Sequence, residues 1–163
     1  MKFARVLTVA VFLLFSVLAV CQTEQPIDQA TINKLVSLMQ QDGYDYHTTR
    51  SPSVFTIHFL GTRLKDIKVV LALGHDLDSD LVVFVTVTEK RRMPVTTDFM
   101  HLLLKENHRY DQIKVGFDGD DDLSVRIDGS TRLMDTTYLK SVVDQVRKTA
   151  DEIYGEIEPS LLN

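Results

Sequence analysis

Hydrophobic and polar residues alternate in two short runs on either side of an acidic, glycine-containing connection at residues 118–122. The apolar positions are Ile113, Val115 and Phe117 in the first run and Leu123, Val125 and Ile127 in the second. Aspartate and glycine favour turns, whereas strands tolerate them poorly. Alternation on both sides of such a turn predicts a β-hairpin with one buried face.

Three earlier segments alternate in the same way and predict further strands at Val54–Leu60, residues 67–73 and Leu81–Thr88. Their many β-branched residues suit a pleated, half-buried surface. Residues 44–49 alternate only weakly, which predicts a short strand at the edge of the sheet. Because the connections are short, an antiparallel meander is the simplest pairing of these strands.

Apolar residues recur at spacings of three and four in three other segments, which predicts three amphipathic helices. Asp28 or Thr31 can cap the first helix, and Thr96 or Thr97 can cap the second. Asp135 can cap a long third helix. The apolar side of this last helix is formed by Tyr138, Leu139, Val142, Val143, Val146, Ala150 and Ile153.

The order of predicted elements is α-β-β-β(-β)-α-β-β-α, where the bracketed strand is the weak one. Runs of strands interrupted by single helices are typical of an α+β domain. We therefore predict two layers, an antiparallel sheet and the helices that cover one of its faces. The apolar fraction of 44% agrees with a folded globule rather than a disordered chain.

Four segments follow one another in the second half of the chain: LLLKEN at 102–107, IKVGFD at 113–118, LSVRID at 123–128 and the long helix from Asp135. Their order resembles that of type III secretion chaperones and of the related YbjN-like bacterial proteins. The resemblance spans about residues 28–154 and implies one YbjN-like α+β domain at residues 22–158, followed by a tail at 159–163. It also implies a non-catalytic protein that binds another polypeptide, often as an acidic homodimer.

The N-terminal residues 1–21 have the composition of a secretory signal peptide. Lys2 and Arg5 precede an apolar run at residues 6–20, in which only Thr8 and Ser16 are polar. A membrane-spanning helix usually needs about 20 apolar residues, so an uncleaved anchor is the less favoured alternative. Secretion chaperones act in the cytoplasm, whereas this signal predicts export. Only the fold and the binding role of that family therefore carry over.

Cys21 is the single cysteine, and two interpretations of it stay open. Ala19, Val20 and Cys21 form a small-x-small site, after which a signal peptidase could cut to leave Gln22 as the first residue. Alternatively, residues 18–21 resemble a bacterial lipobox, in which Cys21 would be lipidated. The first interpretation predicts a periplasmic or secreted protein, and the second a lipid anchor in the envelope. Neither allows a disulfide within the mature domain.

The formal net charge of −5 argues against nucleic acid as a partner, because an acidic surface repels phosphate. The basic group Lys90, Arg91 and Arg92 is short, and we interpret it as a solvated loop rather than a contact with anionic lipid or an acidic partner. The predicted partner is another polypeptide, with a homodimer as a further candidate. Contact with a membrane is expected only through an N-terminal lipid or an uncleaved signal.

Two acidic segments are candidates for metal binding. The first contains Asp118, Asp120, Asp121 and Asp122, and the second His75, Asp76, Asp78 and Asp80. Calcium prefers six to eight oxygen ligands, and the first segment lacks the spacing and the distant glutamate of an EF-hand. We therefore interpret it as a solvated turn, and the second segment could contribute to a site only if the two loops met.

No constellation of catalytic residues stands out in the sequence. The histidines His47, His58, His75, His101 and His108 form no metal-binding pair, and no nucleophile or phosphate-loop motif occurs. We predict no catalytic, cofactor-binding or metal-binding residue and no cofactor. The favoured function is an exported protein-binding or chaperone-like module with an apolar groove or a free strand edge. The alternatives are a lipid-anchored structural protein of the envelope and an enzyme whose site combines distant residues.

Overall fold

The computed structural model describes residues 27–74, 80–94 and 96–162. The predicted signal segment, with Cys21 and Gln22, lies outside these residues. Three helices are present in the described part: α1 at Gln29–Gln41, α2 at Thr97–Arg109 and α3 at Thr136–Ile157. None of them is both long enough and apolar enough to span a membrane.

Within the described ranges, six strands form a single sheet. Their bounds are β1 Tyr46–Thr48, β2 Val54–Leu60, β3 Asp66–Leu73, β4 Leu81–Thr88, β5 Lys114–Phe117 and β6 Leu123–Gly129. The strand order is β1-β2-β3-β4-β6-β5, and every neighbouring pair is antiparallel. The predicted α+β fold with an antiparallel sheet is thus confirmed, including the short edge strand that the sequence indicated only weakly.

Side-chain caps begin each helix where the sequence allowed one. Asp28 accepts the main-chain N–H of Ala30, and Thr96 accepts that of Phe99. Asp135 likewise accepts the N–H of Tyr138 at the start of α3. Each cap satisfies one of the free N–H groups at a helix N-terminus, which fixes where the helix begins.

The helices cover one face of the sheet and bury the alternating apolar residues of the strands. The central helix α3 packs on β3, β4 and β6, α1 packs beside it, and α2 packs next to β5. The fully buried side chains of this core include Phe55, Ile57, Leu71, Val83, Val125 and Ile153. Burial on this side follows directly from the period-two pattern of the strands.

Phe117 departs from the predicted pattern. The alternation of β5 assigns it to the buried face with Val115, yet Phe117 is 43% exposed. Phe117 is the last residue of β5, directly before the hairpin turn, so the helix layer covers it only in part. The expectation that all three apolar residues of this run are buried is therefore wrong at its last position.

A carboxylate on α3 fastens the connection between β2 and β3. Asp151 accepts the main-chain N–H groups of Thr62, Arg63 and Leu64 at 2.9, 2.8 and 2.7 Å. Gly61 precedes them, and a β-carbon there would come within 2.6 Å of the Asp151 carboxylate. The close approach of the two segments therefore requires glycine at this position.

Candidate functional site

An apolar groove lies where the segment after β4, the start of α2 and the end of β5 meet. It encloses about 280 Å³. Its apolar lining consists of Met93, Pro94, Phe99, Met100 and Phe117. Small-molecule pockets usually measure about 300–1,000 Å³ and combine apolar walls with several polar groups. This groove is close to the lower end of this range, and its walls are mainly apolar, with one lysine and one aspartate at the rim.

The groove continues along an exposed apolar side of α2. Met93 and Phe99 are buried at its base, whereas Met100 is 38% exposed. Leu104 follows Met100 by four residues, so it lies on the same side of the helix, and it is 65% exposed. We call the five lining residues together with Leu104 the α2 groove. A contiguous exposed apolar surface of this kind is typical of an interaction site.

The acidic hairpin turn forms one rim of the α2 groove and is structurally ordered. One oxygen of Asp118 accepts the main-chain N–H groups of Asp120 and Asp122, both at 3.0 Å. Asp121 adopts a positive φ of 63°, and its carboxylate contacts the Lys90 ammonium at 2.5 Å. Asp122 accepts the main-chain N–H of Lys90 at 2.7 Å. The turn therefore clamps the segment after β4 against the hairpin and fixes the shape of the groove.

Asp80, the described member of the second acidic segment, does not meet the acidic hairpin turn. Asp80 precedes β4, at the end of the sheet where Leu81 pairs with Gly129, whereas the hairpin turn lies at the opposite end, beside Thr88. Asp80 accepts the N–H and the hydroxyl of Thr131. His75, Asp76 and Asp78 lie outside the described residues. Within the described ranges, no group of three acidic, histidine or cysteine side chains could hold a metal ion.

The described histidines lie at the surface, and the rings of His47 and His58 are neighbours, with centroids 6.1 Å apart. His47, His58, His101 and His108 are all exposed. The Nδ1 atom of His58 lies 3.0 Å from a carboxylate oxygen of Asp66. None of these four histidines lines the α2 groove. The groove lining is mainly apolar, with one lysine and one aspartate at its rim.

The C-terminal end of α2 is fastened to α3. Arg109 contacts Glu106 at 3.3 Å and Glu156 of α3 at 3.1 Å. The hydroxyl of Tyr110 donates to Glu152 at 2.9 Å, and burial together with this carboxylate raises the pKa of Tyr110 to about 12. Burial and the neighbouring Glu156 also raise the pKa of Glu106. These polar contacts hold α2 in place, so the α2 groove is presented on a fixed helix.

The free edges of the sheet are poor sites for strand addition. Strand β1 contains only three residues. On β5, the main-chain N–H of Val115 donates to the Asn107 side chain at 3.0 Å. A side chain of α2 thus occupies a position that an added strand would need. Of the two predicted binding features, the apolar groove is favoured by this geometry over the strand edge.

The sequence identified the elements around the α2 groove but not the groove itself. Met93 and Pro94 follow the basic group and belong to no predicted helix or strand. The alternation of β5 predicts that Phe117 is buried in the core, so it does not indicate a side chain that lines a groove. The available signal was the position of Phe117 directly before an acidic turn, where a large apolar residue has little cover.

No family model matches the sequence, and no curated protein matches it significantly. Solved structures do show a similar fold. A chain of the crystal structure of the ExsC–ExsE complex is 12% identical and superposes with a TM-score of 0.53, covering 78% of this chain and 92% of that one.

A chain of the heterodimeric ExoU–SpcU complex, from the type III secretion system of Pseudomonas aeruginosa, is 15% identical. It superposes with a TM-score of 0.52 and covers 76% of this chain and 97% of that one. At such low identity the likeness concerns the fold alone. It confirms the type III secretion chaperone-like fold that the sequence indicated, and membership of the YbjN-like proteins stays a prediction.

Proposed function

We propose that this protein is a non-catalytic module that binds a segment of another polypeptide in the α2 groove. The observation that carries the proposal is an exposed apolar surface formed by Met100 and Leu104 on α2, a helix held by polar contacts, and by Phe117 at the end of β5. Partly exposed apolar side chains on a rigid element form a binding surface with little ordering cost. The two similar folds come from complexes of two proteins, which supports a polypeptide partner.

The substitution Phe117→Asp tests this role of the α2 groove. A carboxylate in the apolar lining would have to be desolvated when a partner side chain enters, so we expect binding to weaken at least about tenfold. A photo-crosslinking amino acid at Leu104 detects the bound polypeptide in the cells that produce the protein. Crosslinked products should form when the photo-crosslinking residue at position 104 is the only change, and they should be lost when Phe117→Asp is added to that chain.

Leu133→Asp is the matched control, because Leu133 is also an apolar residue that is 65% exposed. It follows β6 at the end of the sheet opposite the hairpin turn, about 20 Å from the groove along that strand. Crosslinking should be unchanged in this variant. If both substitutions reduced crosslinking equally, or if no polypeptide were crosslinked from Leu104, the proposed function would be wrong.

We further propose that the protein is exported and acts in the envelope or outside the cell. Support comes from the sequence, where two basic residues precede the apolar run at residues 6–20. Intact-mass spectrometry of the mature protein provides the test. Cleavage before Gln22 leaves an unmodified chain, whereas lipidation adds the mass of acyl groups to Cys21. Recovery of the full-length chain from the cytoplasmic fraction alone would contradict both forms of export.

A further inference from the structure

The sheet face opposite the helices has an apolar centre. Strand pairing places Val54, Ala72 and Val82 side by side across β2, β3 and β4, and Val70 beside Phe84 in the adjacent row. All five side chains are half-buried. The helices of the described ranges pack on the other face of the sheet. We call this apolar strip and the residues that border it the open face.

Lysine or arginine side chains border the strip on both sides. On β2 and β3, exposed Lys68 pairs with His58, whose Nδ1 atom lies 3.0 Å from a carboxylate oxygen of Asp66. On β5 and β6, Lys114 pairs with Arg126. One carboxylate, that of Asp128, accepts hydrogen bonds from Lys114 at 2.6 Å and from Arg126 at 2.9 Å. Two cations therefore share one anion at this border, which leaves it with a positive charge.

The shared carboxylate also has unused capacity to accept a hydrogen bond. The second oxygen of Asp128 is buried and has no partner among the described residues. Burial alone would raise the pKa of Asp128, but the hydrogen bonds from Lys114 and Arg126 outweigh it and lower that pKa. Asp128 is therefore ionised, and a donor from a bound molecule would satisfy its free oxygen.

We propose that the open face binds an amphipathic helical segment of another polypeptide, with an apolar stripe flanked by aspartate and glutamate. The whole chain has a net charge of −5, yet the strand residues of this face include Lys68, Lys114 and Arg126 against the carboxylates of Asp66 and Asp128. Complementary charge at the borders would orient an acidic segment.

The dimensions of the open face agree with a helix as the occupant. The four strands β2, β3, β4 and β6 lie about 4.8 Å apart and together span about 15 Å. A helix with its side chains is about 10–12 Å wide, so its apolar stripe can cover the strip while its flanks reach the charged borders. A second copy that used the same face would place cations opposite cations, which disfavours a symmetric homodimer here.

The test uses the full chain and two synthetic peptides of about 18 residues, which form helices about 27 Å long. Both peptides carry the same leucine stripe, flanked by glutamate in one and by lysine in the other. Isothermal titration calorimetry should show binding of the glutamate peptide and at least about tenfold weaker binding of the lysine peptide. Affinity for the glutamate peptide should also fall as salt is raised.

Two variants locate the binding on the open face. The double charge reversal Lys68→Glu and Arg126→Glu changes exposed residues only and should lower the affinity for the glutamate peptide about tenfold. Phe84→Ser removes the largest apolar side chain of the strip and should lower this affinity as well. Phe117→Asp should leave this affinity unchanged, because the α2 groove is a separate surface. The proposal therefore does not depend on the proposed function of that groove.

Three results would overturn the proposal. The first is equal affinity for the two peptides or no binding of either. The second is loss of peptide binding in Phe117→Asp but not in the charge-reversal variant, which would assign the peptide to the α2 groove. The third is a homodimer in analytical ultracentrifugation that Phe84→Ser dissociates, since a second copy would then occupy the open face.

Discussion

Replacing Asp151 by alanine is expected to lower the free energy of unfolding by about 2–3 kcal/mol. The carboxylate of Asp151 accepts three main-chain N–H groups, from Thr62, Arg63 and Leu64, at 2.7–2.9 Å. Alanine leaves these donors without their acceptor and releases the connection between β2 and β3 from α3. Urea denaturation followed by circular dichroism measures the loss.

Asp144→Ala provides the control on the same helix. Asp144 contacts Arg147 at 2.8 Å, one helical turn away, and both side chains are about 30% exposed. A partly exposed ion pair between residues one helical turn apart contributes little, so the loss should stay below about 1 kcal/mol. Equal losses in the two variants would show that the contacts of Asp151 do not fasten the connection.

The stabilising effect of Asp151 should also depend on pH. Burial would raise its pKa, but the hydrogen bonds from Leu64, Arg63 and Thr62 outweigh burial and lower the pKa of Asp151 below its ordinary value. A carboxyl with a depressed pKa stabilises the fold fully above its unfolded pKa of about 3.9 and loses this effect as pH falls through the folded pKa. The stability difference between the parent chain and Asp151→Ala should therefore shrink below about pH 4.

The period-two pattern was sufficient to predict the strands because each of them buries a single face. Val83, Val125 and Ile127 alternate with residues of the other face, and the structure buries all three. The caps were equally local, since Asp135 needs only the N–H three residues ahead of it. Features that depend on neighbours in the sequence could therefore be predicted.

Features that depend on distant contacts could not be predicted. Asp151 resembles any charged residue on an amphipathic helix, and its partners lie 87–89 positions earlier in the chain. The α2 groove requires Met93, Pro94 and Phe117 to meet, and they belong to segments separated by a helix. The sequence alone also did not indicate which strand of the sheet the β5–β6 hairpin pairs with. Pairing of β6 with β4 puts β5 at the edge and carries Phe117 towards the surface.

Phe99 forms part of the base of the α2 groove, and Phe99→Ala is expected to lower the free energy of unfolding by about 3–4 kcal/mol. Phe99 is only 5% exposed and belongs to the core under the first turn of α2. Alanine keeps the main-chain N–H that Thr96 accepts, so the helix cap remains and the loss reports on packing. Urea denaturation measures this change as well.

Met100→Ala separates the binding role of the α2 groove from its structural role. Met100 is 38% exposed, so truncation should cost less than about 1 kcal/mol of stability. It still removes a lining side chain and should weaken crosslinking from Leu104 to the partner. Two results together would show that the groove has no role in binding. Phe99→Ala would lose stability but still bind the partner, and Met100→Ala would bind it as the parent chain does. If Met100→Ala instead keeps its stability but binds the partner poorly, the exposed surface of α2 is the site of recognition.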